Sequence, residues 1–324
     1  MNDKKQLTKI SAFEKEVSEG LTSFPKYVSS KYFYDERGDK LFQEIMAMPE
    51  YYLTEIEYAI LQEQAASICK HFDKDKTGFN LVELGAGDGK KTKVLLRHLL
   101  DAEYTVTYNP IDISENAVTG LVANLKKELP RLEVRGQVGE YFEVLDRLHK
   151  KNHQKQVILM LGSNIGNLLH PRAIQFLKKL KSSMHQEDLL FIGFDQKKDP
   201  QVILDAYNDK TGITEAFNKN ILTRINKELG GNFNLDHFKH WEVYDPESGT
   251  AKSYLVSTKK QTVVIDNLSQ EISFEAWESI HTEISQKYDD DIVEWLTKEA
   301  GLEVTASFSD QKQFYKNYII KRKS

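Results

Sequence analysis

The sequence has little cysteine, little proline and no long apolar segment. Of its 324 residues, one is cysteine and seven are proline. The single cysteine, Cys69, excludes an internal disulfide and favours a reducing compartment. No apolar run approaches the roughly 20 residues of a membrane-spanning helix, and residues 1–10 lack the apolar core of a secretory signal. We therefore expect a cytoplasmic protein that makes no contact with a membrane.

Positive charge is not in excess either. The chain has 44 Lys and Arg against 49 Asp and Glu, which gives a net charge of −5. Because binding to nucleic-acid phosphates relies on clustered Lys and Arg, this balance argues against a nucleic-acid partner. Hydrophobic residues make up 40% and charged residues 29%, as in a globular protein of one large domain or two. We expect a monomer.

What the sequence does have is a glycine-rich turn between an apolar run and a helix-like segment, in residues 80–92. Three glycines alternate with other residues there, at Gly85, Gly87 and Gly89. Glycine permits positive φ and lets a ligand approach the backbone closely. The free N–H groups of the following helix start then serve as donors. A strand, a glycine turn and a helix start together indicate a nucleotide-type ligand site in an α/β fold.

Three ligand motifs compete for this turn. The dinucleotide motif G-x-G-x-x-G requires glycine where Lys90 stands, and the P-loop motif, read from Gly85 to Thr92, fails at the same residue. The motif E-x-G-x-G-x-G of S-adenosylmethionine-dependent methyltransferases is matched in full by Glu83 and the three glycines. A turn without a ligand is disfavoured, because closely spaced glycines carry an entropic cost. The motif therefore predicts S-adenosylmethionine as the cofactor.

Strand-like and helix-like segments alternate around this motif. The strand-like segments are 80–84, 104–113, 132–138, 156–162 and 188–195. This alternation predicts a mostly parallel sheet with helices on both faces. After residue 196 the pattern changes to polar, helix-like segments with turn signals, and a helix with two strands returns near the C-terminal end.

The change of pattern predicts an α/β fold with two domains. We expect a Rossmann-like class I methyltransferase sheet in residues 60–196 plus 286–324, the S-adenosylmethionine-binding domain. An inserted second α+β substrate-binding domain is expected in residues 1–59 plus 197–285.

Further cofactor contacts are predicted from positions at the strand ends. Asp112 ends the second strand, where a carboxylate accepts hydrogen bonds from ribose hydroxyls. A turn or a helix cap, with Ser114 as a rival, is the alternative, and the glycine motif upstream favours the ribose role. Glu140 and Tyr141 follow the third strand, where this class often contacts adenine, but such a pair also suits a simple loop. Lys91 lies at the helix start, where a cation opposes the helix dipole unless an anion such as the cofactor carboxylate is near.

Several longer segments, spread from about residue 20 to the final strand, carry a family resemblance. They are FPKYVSSKYFYDERG (24–38), LFQEI (41–45), MPEYYLT (48–54), LGSNIGN (161–167), AYNDKTGITEAFNKN (206–220) and TEISQKY (282–288). Together with the glycine motif they resemble the histidine-specific methyltransferases, which trimethylate the α-amine of L-histidine on the route to ergothioneine. The resemblance implies a class I methyltransferase fold, S-adenosylmethionine as cofactor without a metal, and an amino acid as the substrate.

The resemblance also assigns residues to a substrate pocket. Glu283 and Ser285 alternate along a strand-like segment and so share one face, where a carboxylate and a hydroxyl can recognise the two imidazole nitrogens. Without the resemblance, the polar face of a surface strand is the simpler interpretation. Asn167 follows the fourth strand at the carboxyl edge of the sheet, and its amide can hold the substrate amine and carboxylate. An Asn in an ordinary Gly-Asn turn is the alternative.

Further pocket positions match the family more loosely. They are Tyr34, Tyr51 and Tyr207, expected near the substrate amine and carboxylate, and Thr214 and Phe42 in the pocket wall. These aromatic residues are equally compatible with a core, and Tyr52 leaves the Tyr51 assignment open by one residue. For catalysis we expect Tyr34 and Asn167 to orient the amine, with protons leaving through water.

The sequence leaves the substrate and the activity open to alternatives. Ser253 stands where characterised family members can carry methionine. The smaller serine side chain enlarges that wall of the pocket, so another amino acid such as a tryptophan derivative is an alternative substrate. A non-catalytic sensor of the same ligands is a further alternative. His237 and His240 form H-x-x-H, but without a nearby cysteine or an H-E-x-x-H motif we interpret them as a solvated helix face and predict no metal.

Overall fold

The computed structural model describes residues 11–151 and 154–323. Its elements divide into two compact units, and the chain passes between them three times. The first unit comprises Met1–Tyr51 and Asp199–Ser285, and the second comprises Tyr52–Lys198 and Gln286–Ser324. Within the described residues, no helix is both long enough and apolar enough to cross a membrane.

The helices and strands are numbered in chain order. The helices are α1 (Ala12–Thr22), α2 (Glu36–Met46), α3 (Leu53–Phe72), α4 (Thr92–Asp101), α5 (Glu115–Glu128), α6 (Tyr141–Lys151), α7 (His170–Ser182), α8 (Pro200–Tyr207), α9 (Ile213–Leu229) and α10 (Asp290–Glu299). The strands are β1 (Lys26–Tyr27), β2 (Phe79–Leu84), β3 (Val106–Asp112), β4 (Glu133–Val134), β5 (Gln137–Val138), β6 (Gln156–Met160), β7 (Leu189–Asp195), β8 (Phe238–Asp245), β9 (Thr250–Ser257), β10 (Gln261–Ile265), β11 (Gln270–Phe274), β12 (Ser279–Gln286), β13 (Leu302–Ser309) and β14 (Tyr315–Arg322).

The second unit is built on one large sheet in the order β13-β14-β7-β6-β2-β3-β4, with β5 also paired to β3. Strands β7, β6, β2 and β3 run parallel, whereas β14 runs antiparallel to both of its neighbours. Every residue of β2, β6 and β7 is buried, as expected of parallel strands covered on both faces. Since β2 lies between β3 and β6, the strand order reverses there, and ligands of open α/β sheets bind at the carboxyl end of such a reversal.

Apolar spacing on the helices explains how they cover this sheet. Helix α7 buries Ala173, Leu177 and Leu180, three positions that recur on one helical face. They belong to one core cluster with sheet residues such as Ile158 and Phe194. Full burial of a Leu, Ile or Phe side chain stabilises the fold by roughly 1.5–3 kcal/mol. The carboxyl ends of the strands are therefore carried on a rigid support.

The first unit contains a four-stranded sheet, β1-β12-β9-β8, and a separate hairpin, β10-β11. Helix α9 begins after Gly212 and ends at Gly230, both in the left-handed region, as is common for a helix that stops at glycine. Its buried face includes Phe217 and Ile221, which join one cluster with Leu255 of β9. This packing places one face of the four-stranded sheet against the α9 side of the unit.

Most of the predicted strands are confirmed, with three differences. The expected strand over 132–138 is two short strands, β4 and β5, and the region 197–280 contains β8 to β11 as well as helices. The interpretation of His237 and His240 as a solvated helix face is wrong, because residue 240 lies in β8 and its side chain is only 8% exposed. In β8 buried and more exposed residues alternate at first, so the histidine spacing reflects a strand and the short helix before it.

Candidate active site

The glycine motif forms a turn between β2 and α4 in the second unit. All three glycines have positive φ, at 70° for Gly85, 53° for Gly87 and 66° for Gly89. The turn is closed by a hydrogen bond of 2.9 Å from the N–H of Gly89 to the carbonyl of Ala86. Left-handed backbone of this kind favours glycine at each position, which explains the motif in structural terms.

Two of these glycines lie in different surroundings. A Cβ added at Gly85 would lie 2.7 Å from the hydroxyl oxygen of Tyr141, whereas a Cβ at Gly87 would meet nothing within 4 Å. Tyr141 therefore covers the start of the turn, and the backbone at Gly87 faces open space. A turn with room beside its main chain, at the carboxyl end of β2, fits a cofactor that approaches the backbone closely.

Glu83 lies beneath the turn and is only 4% exposed. One carboxylate oxygen accepts a hydrogen bond of 2.6 Å from the Thr92 hydroxyl, and the other accepts from the Tyr108 hydroxyl. Burial raises the pKa of Glu83 to about 7, although both hydrogen bonds act to lower it. In this arrangement the carboxylate ties β2 to the start of α4 and to β3, and so organises the turn.

Lys91, immediately before α4, has an anion beside it within the protein. Its Nζ lies 2.5 Å from a carboxylate oxygen of Glu57, a fully buried residue of α3. The same oxygen accepts 2.7 Å from the N–H of Gly162, and the other oxygen accepts 2.8 Å from the Asn317 amide. Glu57 therefore joins Lys91 to the segment after β6, and the side chain of Lys91 is still 23% exposed.

The ribose and adenine positions follow β3 and β5. Asp112 is half-buried, and its Oδ1 accepts 2.9 Å from the N–H of Ser114. Ser114 is itself the cap of α5, since its hydroxyl accepts from Ala117 N–H. Asp112 is thus not the helix cap, and among the described residues no group donates to its second carboxylate oxygen. Glu140 is exposed, beside Tyr141.

Asn167 ends a short 3₁₀ turn, Asn164–Asn167, that follows β6, and its side chain is exposed. Ser163, just before the turn, has a φ of 55°, and its carbonyl accepts 2.8 Å from the N–H of Gly166. Like Gly85, this turn lies at the carboxyl end of a strand at the sheet reversal. Within the second unit, the residues assigned to the cofactor and Asn167 thus share one edge of the sheet.

The first unit contains an open pocket. It is lined by Phe42, Ile45, Tyr51, Ala206, Tyr207, Thr214, Phe217, Asn218, His240, Ser253 and Glu283. Five of the residues predicted for the substrate, which are distant in sequence, are therefore collected there. Its walls are mostly apolar and aromatic with a few polar groups, as in sites that bind small molecules.

The rings of Phe42, Tyr51 and Tyr207 line this pocket, and Tyr34 packs against Phe42 beside it. Ring centroids lie 5.4 Å apart for Tyr34 and Phe42, 6.3 Å for Phe42 and Tyr51, and 6.2 Å for Tyr51 and Tyr207, each pair edge to face. The pKa of the Tyr34 hydroxyl lies well above its usual value, because its surroundings desolvate it and because Glu283 adds negative charge. Tyr34 therefore keeps its proton and serves as a hydrogen-bonding hydroxyl.

Glu283 and Ser285 both belong to β12, two residues apart. Glu283 lines the pocket, and the Ser285 hydroxyl lies 2.8 Å from the hydroxyl of Tyr207, another lining residue. Either oxygen can donate in that pair, so the Ser285–Tyr207 pair can offer a donor or an acceptor to a ligand. The strand spacing and the pocket together support a polar recognition edge on β12.

Thr214 contributes to the wall in a different way. Its hydroxyl and its N–H both donate to Oδ1 of Asp209, at 2.5 and 2.8 Å. Burial acts to raise the pKa of Asp209, but hydrogen bonds from Thr211 and Thr214 outweigh it and hold the pKa below its usual range. Because the Thr214 hydroxyl proton is committed to Asp209, the residue has only its methyl group and a lone pair to present.

A polar network that sequence reasoning missed holds the far wall. The Asn218 amide nitrogen lies 3.1 Å from the carbonyl of Tyr254, which can only accept, so the same NH₂ donates at 2.8 Å to Nδ1 of His240. Nε2 of His240 therefore carries the proton and donates 3.0 Å to the carbonyl of Tyr207. Burial lowers the pKa of His240, which favours this neutral form.

Ser253 also has a partner behind it. Its hydroxyl donates 2.6 Å to a carboxylate oxygen of Glu242 on the neighbouring strand β8. Ser253 and Glu242 are 5% and 8% exposed. The pocket is thus lined by Glu283 and backed by a second carboxylate, and its wall at Ser253 is polar. Sequence offered one signal for this pair, the small polar residue at 253, and none for Glu242.

The fold and the site define a class of protein. A Rossmann-like sheet with the E-x-G-x-G-x-G turn, an acidic residue ending the next strand and Asn167 on the same edge is the arrangement of S-adenosylmethionine-dependent methyltransferases. The chain is an enzyme of this class, and S-adenosylmethionine is its cofactor.

Comparison with known proteins narrows the class. Residues 13–322 match the family described as histidine-specific, S-adenosylmethionine-dependent methyltransferases, and the chain belongs to this family. It is 34% identical over 299 residues to the histidine N-alpha-methyltransferase of Mycolicibacterium smegmatis, covering 92% of this chain and 91% of that protein. It is 31% identical over 302 residues to the enzyme of the same name from Mycobacterium tuberculosis, with coverage of 90% and 92%. Ergothioneine biosynthesis protein 1 of Schizosaccharomyces pombe is 29% identical over 90% of this chain and 38% of that protein.

Proposed function

We propose that the protein transfers methyl groups from S-adenosylmethionine to the α-amine of L-histidine and ends at the trimethylated betaine. The observation that carries the proposal is the pocket of the first unit, which combines Glu283 with a wall of aromatic rings. Membership of the histidine-specific family and the names of the two mycobacterial relatives support the same substrate. The substrate class is a small-molecule amino acid.

Recognition of the side chain is assigned to β12. The Glu283 carboxylate accepts from one imidazole N–H, and the Ser285 hydroxyl, already paired with Tyr207, adapts to the second nitrogen. The polar wall formed by Ser253 over Glu242 supports a side chain with nitrogen atoms rather than an apolar one.

The protein has modest chemical work to do in this reaction. S-adenosylmethionine supplies an electrophilic methyl group, and the enzyme contributes orientation and exclusion of water. We assign Asn167 to holding the amine and carboxylate of the substrate, and the Tyr34 hydroxyl to orienting the amine lone pair. Because Tyr34 stays protonated, it does not accept the proton of the amine. Each released proton therefore leaves through water.

Successive methylation produces a growing cation on the amine. Phe42 and Tyr51 line the pocket and Tyr34 packs against Phe42, and aromatic faces attract quaternary ammonium groups. Such attraction is worth roughly 0.5–2 kcal/mol per favourable contact. This wall therefore supports progress past the first methyl group to the trimethylated product.

We also expect the enzyme to act as a monomer in the cytoplasm. Its one cysteine, Cys69, is free and buried, which suits a reducing compartment. Burial raises the pKa of its thiol to about 12, so the residue is unreactive at neutral pH.

The experiment is an amino-acid panel. The purified protein is incubated with S-adenosylmethionine and each amino acid in turn, including a prenylated tryptophan, and products are followed by mass spectrometry. We expect a histidine product with three added methyl groups and no comparable product from the others. Methylation of a different amino acid would overturn the side-chain assignment and keep the cofactor assignment. S-adenosylmethionine binding without any product would favour a sensor.

A further inference from the structure

A buried charge cluster in the second unit lies outside the residues assigned above. Its centre is Asp195, the last residue of β7, which is fully buried. Nζ of Lys287 lies 2.7 Å from its Oδ2, and Nζ of Lys198 donates to its Oδ1. The Tyr52 hydroxyl lies 2.9 Å from Oδ2 and 3.1 Å from Oδ1. One carboxylate thus serves two buried ammonium groups and a phenol.

A buried charge cluster of this kind contributes little to the free energy of unfolding by itself. Buried ion pairs recover little more than the cost of desolvating their charges, and well-packed apolar residues of similar volume often stabilise as much. Burial lowers the pKa of Lys198 to about 8, although Asp195 acts to raise it, so the desolvation is substantial. Such a cluster instead constrains geometry, because a buried charge that loses its partners is left uncompensated at a high cost.

The side chains that contact Asp195 come from residues at or near the points where the chain passes between the two units. Tyr52 and Lys198 each border a point where the chain passes between the two units, and Lys287 is two residues from the third such point. Lys198 also donates 2.6 Å to the carbonyl of Gln196 and 2.8 Å to the Tyr52 hydroxyl. Three segments far apart in sequence are therefore fixed, within the second unit, to one side chain.

The same residue supports the turn that carries Asn167. The N–H of Asp195 donates 3.0 Å to the hydroxyl of Ser163, the residue that begins the turn. Its carbonyl accepts 2.9 Å from the N–H of Tyr288, whose hydroxyl donates 3.2 Å to the carbonyl of Ile165 inside the turn.

The segment 286–288 closes on the same turn from its other side. A Cβ added at Gly166 would lie 3.0 Å from the carbonyl oxygen of Gln286. The turn is therefore held between Ser163 and the segment 286–288, and Asp195 contacts both.

We propose that Asp195 is a positioning residue for methyl transfer, which fixes the turn carrying Asn167 and the ends of the three chain connections in the second unit. The proposal rests on the proposed function only through the role given to Asn167. It needs an amine substrate but no particular amino acid. Asp195 touches neither substrate nor cofactor in this role. Its side chain acts through Lys287 in the segment 286–288, where the Tyr288 hydroxyl donates to Ile165 of the turn.

The test compares Asp195→Asn with Asp188→Asn. Asp188 is also fully buried, lies just before the other end of β7 and accepts 2.7 Å from the N–H groups of Gln156 and His185. Each substitution removes one negative charge from a buried site, so both variants are expected to lose stability. Only Asp195→Asn is expected to disturb the Asn167 turn.

Two readouts separate positioning from general destabilisation. In Asp195→Asn we expect kcat to fall about 100-fold, as for a displaced reacting group, while S-adenosylhomocysteine affinity stays within about threefold. Hydrogen exchange of peptides covering 163–168, followed by mass spectrometry, should accelerate about tenfold. Asp188→Asn should leave kcat and this exchange close to wild type. Unchanged exchange and kcat in Asp195→Asn, or equal effects in both variants, would overturn the proposal.

A milder variant keeps the test decisive if Asp195→Asn does not fold. Tyr52→Phe removes one hydroxyl from the cluster and should slow turnover about threefold to tenfold, with faster exchange at 163–168. Unaltered exchange and turnover in Tyr52→Phe would then contradict the proposal. The exchange measurement needs no substrate, so a wild type inactive on histidine would refute the proposed function and leave this test intact.

Discussion

At the residue scale, the pocket of the first unit accounts for the polar pair on β12. Glu283 and Ser285 were predicted from strand spacing and family resemblance, and Glu283 lines the pocket. The structure also separates two neighbours that sequence left open, since Tyr51 lines the pocket and the hydroxyl of Tyr52 contacts Asp195. The assignment of Glu283 and Ser285 to substrate recognition stays a prediction, which single substitutions can test.

Replacing Glu283 by alanine should weaken histidine binding and spare the cofactor. Loss of a hydrogen bond to a charged group is worth about 1.5–3 kcal/mol, so we expect the histidine KM to rise roughly tenfold to a hundredfold. The Kd for S-adenosylhomocysteine, measured by titration calorimetry, should not change. Glu275→Gln is the control, because that carboxylate is 68% exposed and pairs with Lys260 at the surface of the same unit. An unaltered histidine KM in Glu283→Ala would remove the residue from recognition.

Replacing Asn167 by alanine should instead act on turnover. If the amide orients the amine, kcat should fall by about 100-fold, with S-adenosylhomocysteine affinity nearly unchanged. Asn164→Ala is a matched control on the same turn, since its amide donates 2.9 Å to the carbonyl of Leu161 and is not assigned to the substrate. Near-normal single-turnover rates in Asn167→Ala, or an equal loss in both variants, would argue against the assigned role.

Residues such as Glu57 and Asp195 could not be found from the sequence. Glu57 accepts hydrogen bonds from Gly162 and Asn317, which are 105 and 260 residues away. Asp195 and Tyr52 are 143 residues apart. A lone acidic residue in a helix or at a strand end has no local pattern that reveals such partners, whereas the spacing of glycines in a single turn does.

At the scale of elements, continuous apolar runs made β2, β6 and β7 predictable, because buried parallel strands need them. Strands β8 to β11 were missed as strands. Their residues alternate between buried and exposed positions and are rich in polar side chains, so apolar runs are absent. Packing against α9 rather than local propensity decides their conformation.

The glycine turn offers a test of element geometry. Gly85→Ala should destabilise the protein more than Gly87→Ala, because both meet left-handed strain but only residue 85 collides with Tyr141. Gly87→Ala should fold with a loss of about 1–2 kcal/mol and should weaken S-adenosylmethionine binding by filling the open space beside the backbone. Chemical denaturation and calorimetry measure the two effects.

A double variant identifies the source of the collision. Tyr141→Phe removes the oxygen that the new Cβ would approach, so it should restore part of the stability lost in Gly85→Ala. Equal stability of Gly85→Ala and Gly87→Ala, without any rescue, would mean that close approach at residue 85 does not matter.

At the scale of the whole molecule, the α/β class and the methyltransferase sheet were predictable from the order of elements, and they are confirmed. The boundaries between the two domains differ in part from those expected. From the sequence we predict boundaries at 59/60, 196/197 and 285/286, whereas the chain passes between the two compact units at 51/52, 198/199 and 285/286. Helix α3 belongs to the second unit, and no composition change marks its start.

The free energy of unfolding should depend on pH through the titration of Glu83. Its pKa is about 7 in the folded protein and 4.5 as a reference, so the folded state holds an extra proton between these values. Stability should therefore decrease as pH rises from about 4.5 to 7 and then level off, by up to roughly 3 kcal/mol from this residue. Glu83→Gln should flatten this part of the curve, as measured by urea unfolding at several pH values. An unchanged slope in the variant would show that Glu83 does not hold that proton.

The most direct test of the central claim locates the transferred methyl groups. The protein is incubated with L-histidine and S-adenosylmethionine carrying a carbon-13 methyl group, and the product is examined by mass spectrometry and NMR. We predict three labelled methyl groups in one equivalent signal on the α-nitrogen, with the imidazole ring unmodified. Label on a ring nitrogen, or no labelled histidine at all while another amino acid is methylated, would contradict the account.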